Sequence, residues 1–224
     1  MTFSLAGRCG RTGMVGAVIR TSSACVGARC LWVQAGGGVV LTQNVTNPAL
    51  GPAGLAQMAA GATAVSTLAH MLTLEPYPDY RQVAVLDGGG ETAVYSGSQT
   101  LGIYATASGE NCIAAGNLLA NTHIPQAMVD QFSRQLDLHL ADRLLAALEA
   151  GLAAGGEMGP VRSAALTVCD QDSWPIADLR VDWHDAPIAQ LRAIWQVYQP
   201  QMAAYILRAK DPRQAPSYGV PGDE

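Results

Sequence analysis

Runs of basic residues are missing from this sequence. Lys and Arg together number 13 against 18 Asp and Glu, a net charge of −5, and they never cluster. The electrostatic footprint of a nucleic-acid binder is therefore absent. No apolar stretch approaches the ~20 residues of a membrane span. The start of the chain has no charged segment followed by a long apolar one, so it does not read as a secretion signal. Cysteine is scarce and scattered: Cys9, Cys25, Cys30, Cys112 and Cys169 form no CxxC pair and an odd count. That excludes the usual zinc spacings and a disulfide framework, and points to free thiols in a reducing cytoplasm. The four histidines are unclustered, and neither GGG turn is followed by the GK[ST] of a phosphate loop. No metal and no cofactor is expected; the expected partner is a small molecule.

What is present is small and apolar. Hydrophobic residues make up 49% of the chain, charged residues 14%, and there are 24 glycines. With no repeat and no linker, residues 1–224 read as one domain. A chain of this length buries roughly 70–75% of its unfolded surface without a staple.

Periodicity divides the chain into blocks. "TFSLAGRC" and "MVGAVIRT" alternate as strands around a "GRTG" turn, and "RCLWVQ" and "GVVLTQN" flank a triple-glycine turn. Their short connections predict that these four strands share one antiparallel sheet. Two helical segments follow, broken near Gly61, with Thr63 capping the second and Pro76 stopping it. "RQVAVLD", "ETAVYSG", "LGIYATAS" and "NCIAAGN" are strands again. Helices run from about Pro125 to Gly155, with Leu140, Leu144, Leu148 and Leu152 at i, i+4 spacing. "SAALTVCD" and "IADLRVDW" form a last strand pair. A helix capped by Asp185 carries Ile188, Leu191, Trp195 and Tyr198 and breaks at Pro200; about residues 201–224 are a C-terminal helix and Pro-rich tail. Helix pairs alternating with strand groups predict an α+β layered fold, sheets inside and helices outside.

The opening string through "NPALGPAGLAQM", with "RQVAVLD", "AAGNLLA", "RLLAALEAGLAAGGE", "RSAALTV" and "DLRVDWHDAPIAQLR", resembles the domain-of-unknown-function family 1028 over about residues 2–200. The resemblance implies a four-layer αββα sandwich with antiparallel sheets, like the N-terminal-nucleophile (Ntn) hydrolases. Proteasome β-subunits and asparaginase-type amidases share that fold, so amide hydrolysis is the reaction class suggested by fold analogy.

Thr2 is the residue on which such chemistry would turn. Once Met1 is removed, its hydroxyl is a nucleophile and its α-amine, titrating near 7.7–8.0 in model peptides, is the base. The plain alternative is a β-branched residue starting a strand. Gly116 and Asn117 are read as an oxyanion site. Ser22, Ser23, Arg29, Asn44 and His123 are read as substrate contacts, each with a structural alternative as turn cap, surface ion pair or solvated loop residue. Asp182, His184 and Asp185 look like an acid/base cluster. The expected function is an amidohydrolase for a small amide or ureido compound. Its rivals are a non-catalytic binding or assembly protein that keeps Met1, and a serine amidase using Ser22 or Ser23. A homo-oligomer, dimer or higher, is expected, with Trp195 or Tyr198 either at an interface or in the core.

Overall fold

The computed structural model describes residues 1–222. The chain opens with strands β1 (Thr2–Arg8) and β2 (Val15–Thr21), then a short helix α1 (Val26–Cys30), then β3 (Leu31–Gln34) and β4 (Gly38–Asn44). Helices α2 (Leu50–Ala59) and α3 (Ala64–Leu74) precede β5 (Arg81–Asp87), β6 (Thr92–Ser96), β7 (Ala105–Gly109) and β8 (Cys112–Asn117). Helices α4 (Ile124–Phe132) and α5 (Leu140–Ala153), strands β9 (Ser163–Cys169) and β10 (Pro175–Val181), and helix α6 (Pro187–Lys210) complete the order.

All ten strands pair antiparallel, in a six-stranded sheet β10-β9-β2-β1-β8-β7 and a four-stranded sheet β3-β4-β5-β6. Side-chain alternation then builds three apolar layers. In β1, Phe3 and Leu5 pack under α4 and α5 with Leu144, Leu148 and Met128, whereas Ala6 faces the other sheet with Ile19, Leu41 and Leu86. In β4 and β5, Val40, Val83 and Val85 pack under α2 and α3 with Met58, Leu68 and Met71. The result is a four-layer αββα sandwich. No helix among the described residues is long and apolar enough to cross a membrane.

Several expectations change here. The first four strands do not share a sheet: β1 and β2 lie in one, β3 and β4 in the other. The connection "SSACVGA" folds as α1, entered through Cys25 at φ 55°, and carries the chain across the sandwich. Pro200 does not break α6, which runs 24 residues through it. The carbonyl that a proline leaves unbonded, that of Gln196, belongs to an exposed residue, and the Gln201 amide donates to the next one, Val197 O, at 2.7 Å. Asp185 does not cap α6; it ion-pairs with Arg162, and His184 Nδ1 accepts from Ala186 N–H instead. Of the leucine stripe, Leu152 is 46% exposed. Trp195 is core, its indole N–H donating to Asp142, and Tyr198 donates to Ile176 O. Thr63 caps α3 as read, accepting from Ser66 N–H. The tail folds back onto α6, where the Arg208 guanidinium lies 3.7 Å from the Tyr218 ring centroid.

Candidate active site at the start of the first strand

Thr2 is the first residue of β1 and is 6% exposed. Its strand neighbours in register are Thr21 on one side and Asn117 on the other. The Thr2 hydroxyl donates to Thr21 Oγ1 at 3.0 Å. Thr21 in turn donates to the Met1 carbonyl oxygen at 2.5 Å, and Ser22 N–H reaches the same oxygen at 3.4 Å. Two donors thus converge on the carbonyl of the Met1–Thr2 peptide. The chain continues outward: Thr21 Oγ1 lies 3.4 Å from Ser23 Oγ, which accepts from Arg29 Nη2 at 3.0 Å. Arg29 is placed there by α1 and also holds Ala24 O. Behind this corner the Ser163 hydroxyl of β9 donates to Ser23 O at 2.6 Å, fixing the turn.

Inward from Thr2, the space between the sheets is polar rather than apolar. The Ser4 hydroxyl donates to Gln43 Oε1, Gln43 Nε2 donates to Gln82 Oε1, and Asn117 Nδ2 donates to that same Gln82 oxygen at 3.1 Å. Gln82 Nε2 is shared between Ser96 Oγ and Gly116 O. Both donors on Gln82 point to acceptors and both its acceptor contacts come from amide N–H groups, so its orientation is determined. With Asn117 Nδ2 engaged, the buried Asn117 Oδ1 has no partner.

On the helix side, beneath the same strand end, Arg20 and Glu157 form an ion pair at 2.7 Å with both side chains fully buried. Arg20 stacks 3.8 Å above the Phe3 ring. Burial pushes the Glu157 carboxyl up to about 7 and the Arg20 guanidinium down to about 10, so desolvation outweighs their attraction in both partners. The Met1 amine is lowered by burial, with Glu157 pulling it back up. Met1's thioether end packs against Gly159, where a Cβ would stand 2.6 Å from Met1 Cε.

Of the sequence-derived candidates, Thr2, Gly116, Asn117, Ser22, Ser23 and Arg29 gather at this corner. Asn44 and His123 do not join it. Asn44, at φ 73°, spends its side chain on Tyr80 O and Leu101 N–H, pinning the loop before β7. His123 is exposed at the start of α4, with its backbone N–H on Asn121 Oδ1. Asp182, His184 and Asp185 are exposed on a turn and share no hydrogen bond; Asp185 pairs with Arg162 and His184 Nδ1 accepts from Ala186 N–H. The sequence reading missed Thr21, Ser4, Gln43, Gln82 and the Arg20–Glu157 pair. Polar residues at inward positions of apolar strands were their signal. Among the described residues, no group of three or more His, Cys, Asp or Glu is placed to hold a metal.

A family model described as "Family of unknown function (DUF1028)" matches residues 2–191. The chain belongs to this family. The DUF1028 fold is seen also in the crystal structure of protein SPO2555 from Silicibacter pomeroyi, which is described under the same family designation. That structure superposes with a TM-score of 0.82 at 30% identity, over 88% of this chain and 89% of that one. No curated protein matches. The DUF1028 designation carries no reaction, so the chemistry rests on the corner itself. There, a buried hydroxyl on the second residue lies beside a hydroxyl relay that leads to an arginine.

Proposed function

We propose that this protein is an N-terminal-nucleophile amidohydrolase acting on a small amide or ureido compound through Thr2. The observation that carries the reading is the pair of donors, Thr21 Oγ1 and Ser22 N–H, on the carbonyl of the Met1–Thr2 peptide, with the Thr2 hydroxyl hydrogen-bonded alongside. Removal of Met1 leaves that pocket to an incoming carbonyl. The Thr2 amine freed by that removal takes the hydroxyl proton. The hydroxyl oxygen adds to the substrate carbonyl carbon, and the resulting oxyanion lies where Thr21 and Ser22 donate. Collapse expels the amine with the proton, leaving an ester on Thr2 that water hydrolyses. Arg29, acting through Ser23, polarises Thr21 as a donor. Asn117 gives one amide N–H to Gln82, and its free Oδ1 suits the ammonium form of the Thr2 amine. Gly116 acts by accepting from Gln82.

The reading includes a cytoplasmic protein, in keeping with five free cysteines, that works as a homo-oligomer on a small molecule. The non-catalytic alternative has its own support, because Met1 is well accommodated by its carbonyl donors and Gly159. Intact mass of protein from its native host, with turnover of a panel of small amides and ureides, decides between them. Loss of Met1, and turnover abolished in Thr2→Ala with folding intact, are expected. Uniform retention of Met1, or wild-type turnover in Thr2→Ala, would overturn the reading.

A further inference from the structure

We infer that the pole of the sandwich opposite Thr2 carries a binding site for a small oxyanion, a phosphate or carboxylate group borne by a metabolite. At the far end of β1, roughly 20 Å of strand from Thr2, lies a cavity of about 330 Å³. Arg8 from β1, Arg11 from the β1–β2 turn and Arg143 from α5 all line it. Each guanidinium is held in place by neutral acceptors only. Arg8 donates to Gly88 O and Asn111 Oδ1, Arg11 to Asp137 O, and Arg143 to Phe132 O through both Nε and Nη2.

None of the three forms an ion pair among the described residues, whereas Arg20, Arg81 and Arg192 each have a carboxylate. Arg143 is the telling member. It is 4% exposed and stacked 4.0 Å from the Phe132 ring centroid. A desolvated cation without a counter-charge is costly to keep. Burial accordingly lowers its pKa. Glu110 and Asp137 also line the cavity, but both are exposed and neither carboxylate comes within ion-pairing distance of these arginines. The Arg8 and Arg143 guanidiniums are therefore preoriented, exposed Arg11 lies at the rim, and all three are unneutralised, which suits the charge-assisted, forked recognition of an oxyanion. The volume fits a small metabolite. Cys9, a buried residue of the same wall, serves as a reporter.

The inference does not depend on the chemistry of Thr2. Its test titrates the full-length protein with inorganic phosphate and, separately, with succinate, against NaCl at matched ionic strength. Thermal midpoint and the alkylation rate of individual cysteines are followed by peptide mass. A saturable rise in midpoint is expected with at least one anion, together with slowed alkylation of Cys9 and no change at exposed Cys25. Which anion acts identifies the group recognised. Arg11→Gln, an exposed substitution, and Arg8→Gln should each weaken binding about tenfold through one lost charge-assisted contact. No saturable effect beyond NaCl, equal protection of Cys25, or wild-type affinity in both variants would overturn the site.

Discussion

Burying Arg20 and Glu157 under the start of β1 gives the protein a pH dependence that one residue controls. The Glu157 carboxyl is raised to about 7 by burial, against 4.5 for the ordinary group. Between those values the folded protein holds a proton that the unfolded chain releases, so stability is highest below the lower value and falls as pH rises through the higher one. At about 1.4 kcal/mol per unit, the fall is on the order of 3–4 kcal/mol. His139 has the opposite sign, since burial lowers its pKa and it gains stability as pH rises. Denaturant midpoints at pH 5 and pH 7.5 should therefore drop less, or rise, in Glu157→Gln. At pH 5, where Glu157 already holds its proton, glutamine replaces a neutral carboxyl and the two midpoints should lie close together. A parallel pH response in the two proteins would show that Glu157 is ionised throughout. At the neighbouring position, Thr21→Val keeps the shape and removes the hydroxyl between Thr2 and the Met1 carbonyl. If Thr2 is the nucleophile, kcat should fall about 10²–10³-fold, as for the loss of one oxyanion donor, with the thermal midpoint little changed.

Strands and helices were mostly legible because the apolar period changes sharply between blocks, as from "GVVLTQN" to α2 and from α3 to "RQVAVLD". What periodicity lacks is partner choice. The alternation in β2 and β3 tells which side chains face inward, not that α1 carries the chain to a different sheet between them. Pro200 misled for a related reason: a proline is costly where the carbonyl it strands is buried, and here it is exposed. Pro200→Ala should restore one solvent-facing helix hydrogen bond and raise stability by only about 1 kcal/mol; a lowered midpoint in thermal unfolding would mean that α6 relies on the proline ring. Gly51 in α2 behaves oppositely. Alanine is normally better than glycine inside a helix by about 1 kcal/mol, but a Cβ at Gly51 would stand 2.2 Å from the Trp32 indole. Gly51→Ala should destabilise the protein, and Trp32 fluorescence should report the displaced ring.

The two sheets are joined by an asymmetric interior, apolar toward the Arg8 end of β1 and hydrogen-bonded toward Thr2. Thr2 itself was legible from its position, but the seam that holds its surroundings was not. Gln43 and Gln82 sit at the ends of strands whose other inward residues are Val39, Leu41, Ala84 and Leu86, where a sequence reader sees a strand fraying into solvent. Only the pairing of β1 and β8 across from β4 and β5 shows that those ends are covered. Gln82 is the hub: fully buried, it links β4, β5, β6 and β8 through four hydrogen bonds. Gln82→Leu has nearly the same volume and adds apolar surface, so area burial alone would favour it. Hydrogen bonding decides the sign, because the substitution strands Gln43 Nε2, Asn117 Nδ2 and the Gly116 carbonyl in a site closed to water. At about 1–3 kcal/mol for each orphaned group, partly relieved by relaxation, the net cost should be about 3 kcal/mol or more. Urea denaturation of Gln82→Leu measures it directly. A midpoint equal to the wild type would mean that water enters the seam, and that the Thr2 corner is open to solvent from within.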